Sequence, residues 1–129
     1  GHIVTIHCTY DPKSKGGWTG DGRKVLGTSH WVCAKHAVTT VVRLYDHLFL
    51  TPNPEKVDEG QDFMANLNSA SMTILTGCKA EPSLAEKQAG ERFQFLRQGY
   101  FCVDKDTQEG ALVFNQTVTL KDAWGKLNR

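Results

Sequence analysis

The sequence predicts an all-β domain, built as a barrel or a sandwich with little helix. Short segments rich in β-branched and aromatic residues recur along the chain, and glycine- and proline-containing turns separate them. The hydrophobic fraction of 40% and the charged fraction of 22% are ordinary for a globular chain. The length of 129 residues corresponds to one domain.

Three strands are predicted in the first part of the chain. Residues 3–10 are β-branched and contain few helix-forming residues, and residues 11–21 form a loop that contains Pro12 and several glycines. Residues 24–34 and 37–48 are predicted as two longer strands, joined by a short turn around Lys35.

The middle of the chain is predicted to be more irregular. Pro52 and Pro54 end the third strand, because proline cannot continue a β-ladder, and a polar surface loop follows over residues 55–61. Residues 61–67 are expected to make one or two helical turns, and residues 72–78 a further strand.

The last part of the chain is predicted to combine helical turns and strands. Ser83 and Glu86 have the spacing of a capping box, which predicts a short helix over residues 84–89. Residues 111–120 are the last predicted strand, and residues 122–127 are expected to form a closing helical turn.

The most informative stretch is F-Q-F-L-R-Q-G-Y-F-C-V-D, residues 93–104. Phe93 and Phe95 alternate with Gln94, so on a strand the two rings share one face and the amide takes the other. Gly99 permits a tight turn or a bulge, after which an apolar strand returns over residues 100–103, and Arg97 lies near that turn. Taken alone, this pattern predicts a hairpin with a solvated polar edge.

A wider set of motifs gives this hairpin a context. The chain resembles the C-terminal anticodon-binding region of bacterial-type glutaminyl-tRNA synthetases in six motifs that occur in the same order. They are D-G-R-K-V-L-G-T-S-H-W-V (21–32), R-L-Y-D-H-L-F (43–49), T-P-N-P (51–54), A-E-P-S-L (80–84), F-Q-F-L-R-Q-G-Y-F-C (93–102) and V-F-N-Q-T-V-T-L-K-D-A-W (113–124).

This resemblance implies a particular fold. The family folds this region as a closed six-stranded β-barrel of the ribosomal-protein-like type, with a few short helices, beside a second barrel. We therefore expect residues 1–129 to form the C-terminal anticodon-binding β-barrel region, with residues 1–20 as a remnant of, or link to, the neighbouring barrel. Signatures of the H-I-G-H and K-M-S-K type do not occur, so the chain is expected to be a C-terminal fragment without the catalytic domain.

The resemblance also implies a function. The expected role is recognition of the anticodon of tRNA(Gln) for a glutamine–tRNA ligase, whose catalytic domain uses ATP and Mg to attach glutamine to the tRNA. The fragment itself should be inactive, need no cofactor and have tRNA(Gln) and its own catalytic domain as partners, in the cytoplasm and without a membrane. Gln94 and Arg97 match the family positions that contact the middle anticodon base.

The chemistry of these two side chains suits such a role. Anticodon bases are unstacked and presented to pockets, where amides and guanidinium groups bind their edges. An amide such as that of Gln94 offers both a donor and an acceptor, as a uracil edge requires, and Arg97 can bond a base carbonyl or a phosphate.

Charge and hydropathy restrict the other functional classes. The formal net charge is +1, which argues against a nonspecific binder of polyanions. No apolar run approaches the roughly 20 residues of a membrane helix, and the first residues do not resemble a signal peptide.

No catalytic group or metal site is predicted with comparable specificity. His36 and Asp46 could serve a nucleophile at Ser29 or Cys33, but nothing in the sequence places them together. Asp104 and the acidic residue two positions later suggest a calcium loop, but the glycine and glutamate required at its sixth and twelfth positions are missing.

A cysteine–histidine metal module is a further alternative. His30, Cys33 and His36 lie close together in sequence, with His7 and Cys8 elsewhere, but on a strand His30 and Cys33 would point to opposite faces. We expect the four cysteines to be free, buried thiols, because they are widely spaced along a chain of this length.

The alternative from another functional class is a non-enzymatic β-barrel module that binds structured RNA or protein. In either case the aromatic and aliphatic residues of the strands should form the core. The predicted core residues are Trp31, Val32, Val42, Leu44, Tyr45, Phe95, Phe101, Val113 and Phe114.

Overall fold

The computed structural model describes residues 2–14, 16, 18–27 and 29–120. Contacts within the chain divide it into two compact units, Gly1–His30 and Trp31–Arg129. Among the described residues, extended strands occur only in the second unit, whose first strand begins at Val38.

The first unit is organised by turns and by one exposed arginine. The guanidinium of Arg23 lies 2.7 Å from a carboxylate oxygen of Asp11 and also donates to the carboxylate of Asp21. The backbone N–H of Arg23 bonds the Asp21 carboxylate as well, and this bond is the main cause that lowers the pKa of Asp21. The predicted loop over residues 11–21 is therefore closed by ion pairs at its two ends.

The second unit contains a five-stranded sheet in the spatial order β2-β1-β5-β4-β3. The strands are β1 (Val38–Tyr45), β2 (Met72–Ala80), β3 (Arg92–Phe95), β4 (Gly99–Val103) and β5 (Leu112–Val118).

The last strand in sequence occupies the centre of this sheet. β5 pairs with β1 in parallel and with β4 antiparallel, whereas β1–β2 and β3–β4 are antiparallel pairs. Because β5 joins the β1–β2 pair to the β3–β4 hairpin, the sheet depends on contacts between residues that are distant in sequence.

The connections contain two short 3₁₀ turns. Phe63–Asn66 is capped by the Asp62 carboxylate, which accepts a hydrogen bond from the backbone N–H of Met64 at 2.9 Å. This turn confirms the helical turn predicted within residues 61–67. Pro82–Leu84 is the second, with a proline in its first turn.

The core lies on one face of the sheet, which we call the inner face. Phe114 at its centre is fully buried, and the Phe95 ring packs against it edge-on with a centroid distance of 5.1 Å. The Phe95 ring also stacks on Phe101 at 4.4 Å. The buried cluster comprises Val42, Phe101, Val103, Leu112 and Phe114.

The prediction of a closed six-stranded barrel is wrong. The sheet has five strands and is open, with β2 and β3 at its two edges. Two of the predicted strands, residues 3–10 and 24–34, are not strands in their described parts. A strand forms only where another strand satisfies its backbone groups, and among the described residues no strand pairs along these segments, although their β-propensity is high.

The exposure of these two segments agrees with that reason. Val4 is 92% exposed and Leu26 is 96% exposed, so neither segment buries an apolar face within the described chain. The strand predicted over residues 37–48 does form in part, because β1 lies within this range and pairs with β2 on one side and β5 on the other. The turn at Lys35 is present, with the His36 N–H donating to the Cys33 carbonyl at 3.0 Å.

The predictions of two core residues and of one helix are also wrong. Trp31 is 78% exposed and Tyr45 is 50% exposed, because Trp31 precedes the first strand and Tyr45 faces away from the inner face. The helix predicted over residues 84–89 is replaced by the 3₁₀ turn Pro82–Leu84, whose N-cap residue Glu81 does not cap the turn with its side chain. The turn predicted over residues 122–127 lies outside the described residues.

Candidate nucleic-acid interface

The β3–β4 hairpin carries both residues predicted to bind the anticodon. Phe95 pairs with Gly99, so three residues form the loop between the strands. The N–H of Gln98 donates to the Phe95 carbonyl at 2.9 Å and closes a four-residue turn. The hairpin predicted from the alternation of rings and amide is confirmed.

Gly99 fixes this hairpin against the centre of the sheet. It is buried, with a φ of +146°, and a Cβ built on it would lie 2.7 Å from the carbonyl oxygen of Val118. Such a separation is well inside van der Waals contact, so only glycine fits here without movement of the backbone. The position of the loop is thus set by its close approach to β5.

Gln94 lies on the face of the sheet opposite the core, which we call the outer face. Its neighbours Phe93 and Phe95 pack against the core, and successive residues of a strand alternate between faces. The side chain is exposed and forms no hydrogen bond with any described residue. Both the donor and the acceptor of its amide are therefore open to a ligand.

Arg97 lies at the tip of the hairpin in an unusual backbone conformation. Its φ of +63° is in the left-handed region, where a residue with a Cβ is disfavoured by roughly 1–2 kcal/mol. The residue is exposed, and its guanidinium makes no ion pair within the described part of the chain. The turn therefore places an exposed cation at the end of the hairpin.

Two exposed residues of the hairpin share the outer face with Gln94. Tyr100 pairs directly with Gln94, and Arg92 pairs with Cys102 one step further along the hairpin. Tyr100 is 44% exposed and Arg92 is exposed as well. Neither residue was predicted as part of the site, although the alternation of faces, counted outward from Gln94 and across the turn, would have found both.

A hydrogen-bonded network supports the neighbouring part of the outer face. Arg43 on β1 lies 2.9 Å from a carboxylate oxygen of Asp106 and 3.4 Å from one of Asp104. Asn115 on β5 donates its amide N–H to Asp104 and accepts from the Tyr45 hydroxyl at 2.9 Å. These bonds tie β1, β5 and the loop after β4 together.

The network perturbs the titration of its charged members. Bonds from the backbone N–H of Asp106 and from the Asn115 amide lower the pKa of Asp104. The pKa of Arg43 is raised, chiefly because its guanidinium donates to Asp106. The two carboxylates that resemble a calcium loop in sequence are therefore partners of an arginine in the structure.

The other candidate sites are not assembled in the described part of the chain. There, no group of three histidine, cysteine or acidic side chains is close enough to hold a metal ion. The Asp46 carboxylate accepts a bond from the backbone N–H of His47, its own neighbour.

The four cysteines, all within the described ranges, are free thiols. Cys8 and Cys33 are exposed, so the prediction of burial is wrong for these two, whereas Cys78 packs against the core cluster. Over the described ranges, the structure contains no helix with the length and apolarity needed to cross a membrane.

Comparison with known proteins defines the class of this chain. Residues 28–104 match the family model for the anticodon-binding domain of class I tRNA synthetases (E and Q), and this match covers more than half of the chain. The matched region includes β1 to β4 and the whole hairpin that carries Gln94 and Arg97. The chain belongs to this family of anticodon-binding domains.

Similar full-length proteins are glutamine–tRNA ligases. The chain is 56% identical over 126 residues to the ligase of Pseudomonas putida, and the alignment covers 97% of this chain and 22% of the relative. It is 54% identical over 127 residues to the ligase of Azotobacter vinelandii, covering 98% of this chain and 23% of the relative. The chain thus spans somewhat more than a fifth of the length of these relatives.

Proposed function

We propose that this domain recognises the anticodon of tRNA(Gln) as part of a glutamine–tRNA ligase. The observation that carries the proposal is the exposed amide of Gln94, which has no hydrogen-bond partner among the described residues and lies on a hairpin inside the matched anticodon-binding region. The relatives that match 97–98% of the chain are all named glutamine–tRNA ligases. They favour this function over a non-enzymatic module that binds other RNA or protein.

Gln94 and Arg97 have complementary roles in this proposal. The Gln94 amide donates to one polar atom and accepts from another on the edge of an unstacked uracil, the middle anticodon base. Arg97, at the hairpin tip, bonds a carbonyl of the same base or an adjacent phosphate. Edge contacts give selectivity between bases, whereas a phosphate contact adds affinity without it.

The chemical reaction belongs elsewhere in the enzyme. The parent ligase would join glutamine to tRNA(Gln) in a catalytic domain outside this chain, where ATP and Mg are bound. Within the described residues, no group of three histidine, cysteine or acidic side chains is close enough to hold a metal ion. The domain selects the tRNA that the catalytic domain then charges in the cytoplasm.

The first residues are proposed to belong to a neighbouring part of the tRNA-binding region. Residues 1–129 would act together as the C-terminal anticodon-binding region, with residues 1–20 as its link to the preceding part of the enzyme. The separate compact unit Gly1–His30 supports this division.

The test is aminoacylation by the full-length ligase with Gln94→Ala and Arg97→Ala. The substrates are two tRNAs, one with uridine and one with cytidine as the middle anticodon base. Loss of a base-edge contact should lower kcat/KM for the uridine tRNA by about tenfold to a hundredfold, since such contacts are worth roughly 1–3 kcal/mol. The loss should be much smaller on the cytidine tRNA, which never made the contact.

Lys105→Ala provides a matched control, because Lys105 is an exposed cation in the loop after β4. It should leave kcat/KM unchanged for both tRNAs. Equal losses on the two tRNAs for Gln94→Ala and Arg97→Ala would contradict a base-reading role for these side chains.

A further inference from the structure

We propose that Tyr100 forms a stacking platform for the nucleobase whose edge Gln94 binds. The inference rests on the proposed function, since it adds a second contact to the same base. It assigns the face of the base to an aromatic ring and the edge of the base to an amide, on two adjacent strands of one hairpin.

The pairing of the strands places the two side chains together. Gln94 on β3 and Tyr100 on β4 are directly opposite each other in the antiparallel ladder. Directly opposite residues have Cβ atoms about 5 Å apart and project from the same face of the sheet. A planar ligand lying over the Tyr100 ring therefore has its edge within reach of the Gln94 amide.

The Tyr100 ring is available, unlike the other rings of the hairpin. Phe93, Phe95 and Phe101 all pack on the inner face, in contact with Phe114 or with each other. Tyr100 faces the other way and is 44% exposed. Its hydroxyl has no hydrogen-bond partner among the described residues, so the side chain takes no part in the packing of the core.

The backbone of Tyr100 is nevertheless held firmly. Its carbonyl accepts a hydrogen bond from the Thr117 hydroxyl at 3.1 Å, and a bulge places it opposite Val118 on β5. The preceding residue is Gly99, which is locked by its close approach to the same strand. An exposed ring on a fixed backbone loses little entropy when a base stacks on it.

The ordinary explanation is that Tyr100 is one of many tyrosines on the surface of a sheet. That explanation accounts for its exposure, but it does not predict any effect on the recognition of a particular base. Aromatic stacking on an unpaired base has a substantial effect on affinity and does not depend on the identity of the base edge. Face and edge contacts can therefore be separated experimentally.

The experiment measures kcat/KM of the full-length ligase for three tRNAs that differ in the middle anticodon base. The bases are uridine, 5,6-dihydrouridine and cytidine. Dihydrouridine keeps the polar edge of uridine but has a puckered, saturated ring that cannot stack, whereas cytidine keeps the aromatic ring and changes the edge. The variants are Tyr100→Leu, Tyr100→Phe and Gln94→Ala.

Stacking predicts opposite patterns for the two positions. Tyr100→Leu should lower kcat/KM by about tenfold to a hundredfold on uridine and cytidine tRNAs, and have little effect on dihydrouridine tRNA. Tyr100→Phe should match the wild type, because it keeps the ring. Gln94→Ala should lower kcat/KM on uridine and dihydrouridine tRNAs, and have little effect on cytidine tRNA.

The possible outcomes distinguish failure of the stacking role of Tyr100 from failure of the base-reading role of Gln94. If Gln94→Ala shows the expected pattern, two results for Tyr100→Leu would overturn the stacking role alone. These are equal losses of kcat/KM on all three tRNAs, or no loss on any of them. An equal loss for Tyr100→Phe and Tyr100→Leu would overturn it in favour of a hydroxyl contact. If neither position responds to the base, the proposed base-reading role of Gln94 fails together with the stacking role of Tyr100.

Two controls exclude trivial causes. Phe63→Leu removes an aromatic ring that is 50% exposed in the turn Phe63–Asn66, and it should leave kcat/KM unchanged. Thermal unfolding of Tyr100→Leu and Tyr100→Phe establishes that both variants are folded at the assay temperature. Comparison of tRNAs with a single variant cancels any general loss of folded enzyme, so a base-dependent effect remains interpretable.

Discussion

Replacement of Gly99 by alanine should destabilise the domain more than the same change at any open glycine. Gly99 combines a φ of +146° with a site where a Cβ would lie 2.7 Å from the carbonyl oxygen of Val118 and 3.0 Å from the Gln116 amide nitrogen. The two causes can be separated, because Gly90 also has a positive φ, of +92°, and has no atom within 4 Å of a Cβ.

The structure gives a magnitude for each cause. A non-glycine residue in a sparsely populated region of φ and ψ costs roughly 1–3 kcal/mol. The steric overlap adds roughly 1–3 kcal/mol, as when an extra methyl group is placed in a close-packed site. Gly90→Ala should show only the first cost, and Gly99→Ala should show both, roughly 2–6 kcal/mol in all.

The assay is urea unfolding followed by circular dichroism, with the free energy of unfolding obtained by linear extrapolation. We expect Gly99→Ala to have a lower free energy of unfolding than Gly90→Ala. The slope of that free energy against urea concentration should be the same for both variants. Equal stabilities for the two variants would refute the reasoning. That result would mean that β5 moves to accommodate the added methyl group and therefore does not determine the position of the hairpin.

Three further predictions concern the core, the network and the hairpin tip. Phe114→Ala removes a fully buried ring and should lower the free energy of unfolding by about 3–5 kcal/mol, measured by the same urea method. The pKa of Asp104 lies below its ordinary value of 3.8, so the carboxylate stabilises the fold above about pH 4 and this contribution is lost as the pH falls through the folded-state pKa. Asp104→Asn should therefore flatten the acid limb of a stability–pH curve, and an unchanged limb would contradict the network. Arg97→Gly relieves a strain of roughly 1–2 kcal/mol at the positive φ, but glycine also makes the unfolded chain more flexible, so the net stabilisation should be roughly 0.5–1 kcal/mol. The same variant should weaken anticodon selection in aminoacylation assays.

The local features of the hairpin could be predicted from the sequence. Alternation of Phe93, Gln94 and Phe95 sets the two faces of a strand, and Gly99 marks the turn, because both depend on a few adjacent residues. The same local reasoning placed Gln94 on the outer face and Arg97 at the tip, where the structure has them. Membership in the anticodon-binding family could likewise be predicted, because six motifs span the chain in order.

Local patterns could not decide which segments become strands. Residues 3–10 and 24–34 have the composition of strands, yet their described parts do not form strands. β-propensity expresses how well a side chain fits a pleated surface and cannot supply the neighbouring strand that satisfies the backbone. Trp31 was assigned to the core for the same reason and is exposed, because the strand expected around it does not form.

The sequence by itself determined the class of domain, the hairpin and the positions of Gln94 and Arg97 on it. Only the tertiary structure decided that β5 enters the centre of an open sheet, parallel to β1. That insertion brings together Arg43 and Asn115, which are far apart in sequence, and packs Gly99 against the end of β5. The physical reason is that strand order and sheet closure depend on backbone pairing between distant segments, which the pattern within any one segment does not encode.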